Sequence, residues 1–278
     1  MIIGLLTGVR RRPFLTASAV LITALIAVSW AEVISQGTGS AGLLALDTWR
    51  RAGEFIGDLA GAGSGSTPAF FEWSSWRSAL GLAGATLVMS VLAAGLSAAG
   101  ALVTMPFAAF NLAGRSPGGR VVAWVIRGLY IFSRAVPELV WALIVVFVFN
   151  PGVLAGALAL AIHNFGVLGR LGAETVEDID PGPIDVLETS GAGRVQLLFY
   201  GVLPQVLPQF VTYLLYRWEV MIRTSVVVGL VAAAGLGYQF RLDLAFFRYT
   251  DVALLLIIYM LLVWAVDIAS IGLRRLSR

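Results

Sequence analysis

Apolar residues in this chain come in long runs rather than in the half-polar periods of a soluble fold. Six runs, near 14–34, 78–110, 121–149, 152–173, 197–222 and 250–272, are long enough to cross a membrane as helices. A hydrocarbon core of about 30 Å needs about 20 predominantly apolar residues, and only a helix or a closed barrel satisfies its own backbone there. The pattern therefore predicts an all-α, polytopic membrane bundle of about six transmembrane helices. A further apolar run at 225–237 is too short and glycine-rich to cross, which predicts a re-entrant or partly inserted segment. The chain divides into an N-terminal span with an external linker and interfacial segment, 1–77, and a core, 78–278, with a cytoplasmic loop at 174–196. In the second run Gly81, Gly84, Ala85, Gly95, Ala98, Ala99 and Gly100 predict a face for close helix packing.

Composition agrees with the pattern and removes several chemistries. Of 278 residues, 59% are apolar and only 13% charged, against roughly 25% charged in ordinary globular domains. All nineteen basic residues are arginine, so the chain has neither the lysine of a phosphate-binding P-loop nor a lysine for Schiff-base catalysis. With no cysteine and one histidine, His163, thiolate chemistry and multi-imidazole metal sites are excluded, and no metal or other cofactor is expected on this chain. The net charge of +3 comes from dispersed arginines without an aromatic-interleaved basic stripe, so no nucleic-acid partner is expected. An intramembrane enzyme would need a nucleophile with its base, or a metal cluster, and the sequence offers neither.

The arginines report orientation instead. With the N-terminus inside, Arg10, Arg11, Arg12, Arg115, Arg120, Arg170, Arg194, Arg274, Arg275 and Arg278 fall on the cytoplasmic side. Arg50, Arg51, Arg77, Arg241 and Arg248 fall outside, three of them in or beside the long external segment 35–77, so both termini are placed in the cytoplasm. The Arg11-Arg12-Pro13 start imitates a twin-arginine export signal, but five further runs make a first span held by a basic cluster the better reading. In the external segment, the Gly61-to-Ser66 stretch has linker composition, and Phe70, Phe71, Trp73 and Trp76 suit a helix at the membrane interface.

Four arginines, Arg127, Arg134, Arg217 and Arg223, lie inside predicted spans with Glu138 and Glu219. A central arginine costs about 2.5–3.5 kcal/mol even on the lenient insertion scale, so each needs a partner, a route to the interface or an aqueous cavity. Arg127 is near enough to a span end to snorkel. Arg134 and Glu138 are four apart around Pro137, as are Glu219 and Arg223, which makes mutually neutralising pairs on one helix face the conservative expectation. The surplus of cations suits an anionic substrate, because arginine's planar fork fits phosphate-like oxygens. Candidate path residues are Arg134, Glu138, Trp141, His163, Asn164, Arg217, Glu219 and Arg223, although for His163 and Asn164 a helix-to-helix hydrogen bond is the preferred reading.

Between the fourth and fifth runs the loop is acidic, with Glu174, Glu177, Asp178, Asp180, Asp185 and Glu188, against the local orientation signal. Asp178 or Asp180 can cap a short helix, Pro181 or Pro183 suits its first turn, Ile184 and Leu187 make an apolar face, and Gly191 with Gly193 ends it. Such a helix is a plausible plug for a partner's groove. From Gly191 to Leu203-Pro204 the spacing resembles the cytoplasmic loop of ABC importer permeases, which reads Glu-Ala-Ala, three residues, Gly, nine residues, Ile, one residue, Leu-Pro. Here Asp185-Val186-Leu187 occupies the first three positions and Gly201 the isoleucine position.

A stronger likeness runs in order along residues 78–278. Arg134-Ala135-Val136-Pro137-Glu138-Leu139-Val140-Trp141-Ala142, Gly166-Val167-Leu168-Gly169-Arg170-Leu171, Leu203-Pro204-Gln205-Val206-Leu207-Pro208-Gln209, Tyr216-Arg217-Trp218-Glu219 with Ile222-Arg223, and Gly235-Leu236-Gly237 are similar to the permease subunit of phosphonate and phosphate importers. Ala232-Ala233-Ala234 departs from that family's glycine-richer segment. The resemblance implies a type I ABC importer permease fold in a bacterial inner membrane, with a second permease copy, two cytoplasmic ATPases that use ATP and Mg, and an external substrate-binding protein. The permease itself is then no enzyme, and its cargo is a phosphonate, phosphate or phosphite. The resemblance places coupling to the ATPase on Asp185, Leu187, Glu188, Gly191 and Arg194, and an outer gate on Gly229, Gly235 and Gly237. The competing reading is a secondary anion transporter or channel, with Glu138, Glu219 and His163 relaying protons.

Overall fold

The computed structural model describes residues 13–35, 45–62, 67–114, 116–232 and 234–276. The arginine cluster at 10–12, Arg115, Ala233, Arg278 and residues 63–66 of the linker lie outside them. Every regular element among the described residues is helical. The chain forms two compact units, Met1–Gly63 and Ser64–Arg278.

The first unit holds α1, Pro13–Ser35, and α2, Leu46–Leu59. α1 is apolar all round and none of it is buried, the surface expected of a span facing lipid or another subunit. α2 is amphipathic, with Leu46, Trp49 and Ile56 exposed on one side and Asp47, Arg50, Arg51, Glu54 and Asp58 on the other. α2 thus has the amphipathic surface of an interfacial helix, while the later aromatics stand in a 3-10 turn and the first turn of the next helix. Of those four aromatics, Phe71 and Trp73 are exposed, while Phe70 and Trp76 pack on a buried cluster around Leu236, Leu254 and Ile258.

The second unit begins with a turn of 3-10 helix, Ala69–Phe71, and runs through α3 (Trp73–Ala108), α4 (Pro117–Ala135), α5 (Glu138–Val148), α6 (Val153–Glu177), α7 (Gly182–Thr189), α8 (Leu203–Ala232), α9 (Gly235–Ala245) and α10 (Tyr249–Leu276). Among the described residues, five helical stretches, α1 included, are long and apolar enough to cross a membrane, and α4 with α5 makes a sixth crossing if that pair is one span.

The third predicted run is therefore not one straight helix. α4 and α5 meet at 97°. Pro137 has no N–H to continue α4 and holds Val136 extended at φ −87°, ψ 126°. The segment 225–237 also differs from expectation. α8 continues unbroken through Ser225 to Ala232, and only then does the chain turn into α9. Before α8, residues Leu197–Val202 form a π-helical turn next to Pro204, whose missing N–H disfavours a regular ladder.

α6 is the central helix, and its glycines rather than those of α3 set the closest approach. Gly81, Gly84 and Gly95 of α3 face open space, but two members of the expected face do pack, Ala98 being buried and a Cβ at Gly100 lying 3.0 Å from the Phe165 ring of α6, beside the buried Ala79, Ala83, Ala93, Ala94 and Ala101. On α6, a Cβ at Gly166 would lie 2.5 Å from the Tyr130 carbonyl and one at Gly169 2.3 Å from the Tyr130 ring. The Tyr130 hydroxyl is itself fixed by Thr104 Oγ1 at 2.7 Å. Gly169→Ala is therefore expected to destabilise the detergent-solubilised protein by about 1–3 kcal/mol through overpacking. Gly95→Ala should leave the thermal midpoint unchanged or raised, and equal midpoints for the two variants would remove α6 as the packing axis.

Candidate functional site

One group of the polar side chains in the membrane interior gathers where α4 breaks. Without an N–H on Pro137, the carbonyl of Ser133, four residues earlier, loses its helical partner. Trp141, one turn into α5, reaches back and donates Nε1–H to that carbonyl at 2.9 Å. The Val136 carbonyl accepts from His163 Nδ1 of α6 at 3.0 Å. The other imidazole nitrogen, Nε2, lies 3.4 Å from Glu138 Oε1. His163 thus holds both sides of the break, and Ser133 Oγ adds a hydrogen bond to the Ile162 carbonyl.

Next to His163, the fully buried Asn164 uses Oδ1 to accept from Arg217 Nε and NH2 of α8 at 2.9 and 2.6 Å, while its Nδ2 donates to the Leu160 carbonyl at 2.8 Å. Arg217 therefore hydrogen-bonds a neutral amide rather than a carboxylate, although the Glu138 charge acts on it from nearby. Arg134, at the end of α4, is half-buried and has no hydrogen-bond or ion-pair partner among the described residues.

Neither pair expected along a helix forms. Pro137 puts Arg134 and Glu138 on different helices, so their spacing of four no longer places them on one face. Glu219 and Arg223 do share a face of α8, but that face meets the antiparallel α10, which carries Asp267 and Arg274 seven residues apart. Glu219 pairs with Arg274, and Arg223 takes both oxygens of Asp267 at 2.9 and 2.8 Å. Arg223 then lines an open, largely apolar groove of about 500 Å³ along α10, away from the break. Nor does Arg127 depend on snorkelling, because its NH2 lies 2.6 Å from Glu177 Oε1. Asp267 was the legible signal for one of these partners, being the carboxylate deep in the sixth apolar run, whereas Asp251 stands at its start. Of the four intramembrane arginines, Arg134 is thus left without a hydrogen-bond or ion-pair partner among the described residues, and Arg217 hydrogen-bonds a neutral amide with the Glu138 carboxylate near enough to act on its charge.

The acidic loop resolves into the end of α6 and the short α7. Glu174 and Glu177 belong to α6, where Glu174 pairs with Arg170 at 2.6 Å. Asp180 Oδ1 accepts the Gly182 N–H at 3.0 Å at the start of α7. Ile184 and Leu187 face inward onto the chain's own core, packed with Val176, Val202 and Val206. α7 consequently presents Asp185, Val186 and Glu188 outward, followed by exposed Gly191 and Arg194. Gly201, standing where the importer pattern has isoleucine, makes room for this seat, since a Cβ there would lie 3.3 Å from Leu187 and 3.4 Å from Ile184. Gly191 adopts φ +85°, a left-handed conformation that ends α7 at little cost only for glycine.

The other three glycines lie in close contacts. A Cβ would come within 2.5 Å of the Ala234 carbonyl at Gly229, 2.3 Å of Thr86 Oγ1 at Gly235 and 1.9 Å of the Val226 carbonyl at Gly237. Thr86 Oγ1 accepts the Leu236 N–H at 2.9 Å, fixing the start of α9 to α3.

The bent α4–α5 pair, the seated α7 and the polar break all lie within residues 106–277, which match the family model described as the binding-protein-dependent transport system inner membrane component. The chain belongs to this family. As an inner membrane component it is a multi-pass protein of that membrane. Its relatives include the phosphite transport system permease protein PtxC of Stutzerimonas stutzeri, 36% identical over 214 residues, covering 77% of this chain and 75% of the relative. The phosphate-import permease protein PhnE of Mycolicibacterium smegmatis is 33% identical over 195 residues, 70% of this chain and 36% of that one. The fold is shared with the inward-facing MetNI methionine ABC transporter, with a TM-score of 0.62 at 18% identity over 72% of this chain and 96% of that one. The inner membrane component thus has a type I ABC importer permease fold, as its sequence motifs implied, and α1, α2 and most of α3 lie outside the matched segment.

Proposed function

We propose that this permease forms, with a second copy, the membrane path of an ATP-driven importer for a phosphorus oxyanion. Two ATPases, which use ATP and Mg, dock on the cytoplasmic side against α7, and a binding protein delivers the anion from outside. Both termini are then cytoplasmic. The observation that carries the choice of cargo is the pair Arg134 and Arg217 at the α4–α5 break, one without a partner among the described residues and the other held by a neutral amide. A phosphoryl oxygen supplies an anionic acceptor, which neither guanidinium hydrogen-bonds among the described residues. Relatives named for phosphite and for phosphate support the same substrate class. Docking rests on the outward residues Asp185, Glu188, Gly191 and Arg194, with Leu187 seating the helix.

The test is uptake into proteoliposomes of labelled phosphate, phosphite and a simple alkylphosphonate, with the ATPase and the binding protein each present or omitted. Uptake of at least one of the three is expected only when both are present with Mg-ATP. Uptake by this chain alone under a proton gradient would instead establish a secondary transporter, and uptake confined to a cation or a neutral solute would overturn the cargo assignment.

A further inference from the structure

The densest polar cluster outside the α4–α5 break lies at the opposite end of α4. α3 stops being helical at Ala109, where φ −79° and ψ 122° interrupt its ladder. The Ala108 carbonyl and the Phe110 N–H on either side find partners outside α3. Arg127 of α4 donates Nε–H to the Ala108 carbonyl at 2.8 Å and NH2 to Glu177 Oε1 at 2.6 Å. Its guanidinium sits 4.2 Å over the Phe110 ring. Glu177, the last residue of α6, accepts the Phe110 N–H on the same oxygen at 2.7 Å, and Asn111 Nδ2 donates to the Val176 carbonyl at 2.7 Å. One arginine thus fastens the broken end of α3, the body of α4 and the last turn of α6 together.

This cluster stands between the two ends of the proposed machinery. Five residues after Glu177 the chain enters α7, whose Ile184 and Leu187 pack into the same core as Ala108, Ala109 and Val176. In the other direction, Arg127 and Arg134 are seven residues apart on α4, two turns along one face and about 10 Å apart along the axis. Between them α4 is held against α6 at Gly166 and Gly169, and at the far end by His163 and Ser133. α4 and α6 therefore form a closely packed pair, pinned near α7 by Arg127 and Glu177 and carrying Arg134 at the other end.

We propose that Arg127, acting through Glu177, is the positioning residue that converts displacement of α7 into movement of the α4–α6 pair and so of Arg134. Apolar contacts between α7 and the core can slide, because dispersion has no preferred direction, whereas a charge-assisted hydrogen bond shared among three segments holds a direction. Both side chains of the pair are only 26% exposed, so solvent screens it little. The assignment rests on the reading that an ATPase docks on α7.

The test uses the complete importer in proteoliposomes and reads anion imported per ATP hydrolysed, with whichever of phosphate, phosphite and the alkylphosphonate the wild type takes up. Arg127→Gln is expected to leave the ATPase bound and hydrolysing while import per ATP falls by about tenfold or more, the scale of losing one charge-assisted contact. Glu177→Gln retains an oxygen for the Phe110 N–H and removes only the charge facing Arg127, and it should lower the same ratio. Arg127→Lys, which restores a cation opposite Glu177, should recover part of it. A wild-type ratio in both glutamine variants would overturn the proposal. Loss of folded complex in all three variants, with no separable change in the ratio, would reduce Arg127 to a structural staple and overturn it equally. Absence of ATP-dependent uptake in the wild type would instead strike the docking reading, which separates the two failures.

Discussion

Replacing Gly191 by glutamate is expected to abolish ATP-driven uptake while the apolar helices remain inserted. The residue ends α7 at φ +85°, and within this chain nothing lies within 4 Å of the position a Cβ would take. Internal collision therefore cannot be the source of a defect. Two sources remain, the strain of a left-handed conformation, about 1–2 kcal/mol for an ordinary L-residue, and collision with whatever docks beside α7. Two further substitutions separate them. Alanine carries the strain with little bulk, and asparagine tolerates the left-handed region while adding a side chain. If collision at the ATPase surface governs, Gly191→Ala keeps co-purification with the ATPase and Gly191→Glu loses it. If strain governs, alanine and glutamate are equally impaired and asparagine is spared. Retained binding with futile hydrolysis in the glutamate variant would mean docking without transmission of force. Wild-type co-purification together with wild-type coupled transport in that variant would remove α7 from the mechanism.

How far a linear reading reaches is visible in α7 and at Pro137. The short helix, its prolines, its apolar face and its terminal glycine were all local features, because capping and turn conformation depend on residues a few positions apart. What the apolar face packs against was not local. Ile184 and Leu187 suit a partner's groove as well as their own core, and the deciding residue, Gly201, lies fourteen positions beyond Leu187. Pro137 likewise marks a break without fixing its angle. Apolar residues continue on both sides of it, so the pattern is that of one span, and the 97° turn is held by Trp141 and His163 contacts that no periodicity encodes.

Charge pairing shows the same division more sharply. Spacing of four favours partners on one helix, yet the observed partners of Arg127, Glu219 and Arg223 are 50, 55 and 44 residues away. On α8 the spacing did place Glu219 and Arg223 on a common face. The facing helix α10 carries the complementary charges in the reverse order, and pairing across two helices satisfies four groups where pairing along one satisfies two. The candidate site was legible as a set of residue types that a membrane does not tolerate unpaired. Its geometry, with Arg134 left over at the break, required knowing which pairs form elsewhere.

Neutralising that leftover charge is expected to have the largest effect on transport for the least effect on the fold. Arg134 has no partner among the described residues, so Arg134→Gln breaks no hydrogen bond or ion pair described here and removes a charge from a place where uncompensated charge is costly. Assembly with the ATPase should be unchanged or improved. If Arg134 meets the passing oxyanion, the loss of one charge-assisted hydrogen bond, about 1.5–3 kcal/mol, should lower uptake roughly 10- to 150-fold under subsaturating substrate. Arg217→Gln is the less clean experiment, because it also leaves the fully buried Asn164 carbonyl oxygen without its donors. Arg223→Gln is the informative contrast. It breaks the bidentate contact with Asp267 on the α10 face and should weaken packing of α8 on α10 without comparable loss of uptake per folded complex. Measured side by side as uptake per assembled importer, a deep loss in Arg134→Gln with near-normal transport in Arg223→Gln places the path at the α4–α5 break. The reverse order would move the path to the α8–α10 face and its open groove.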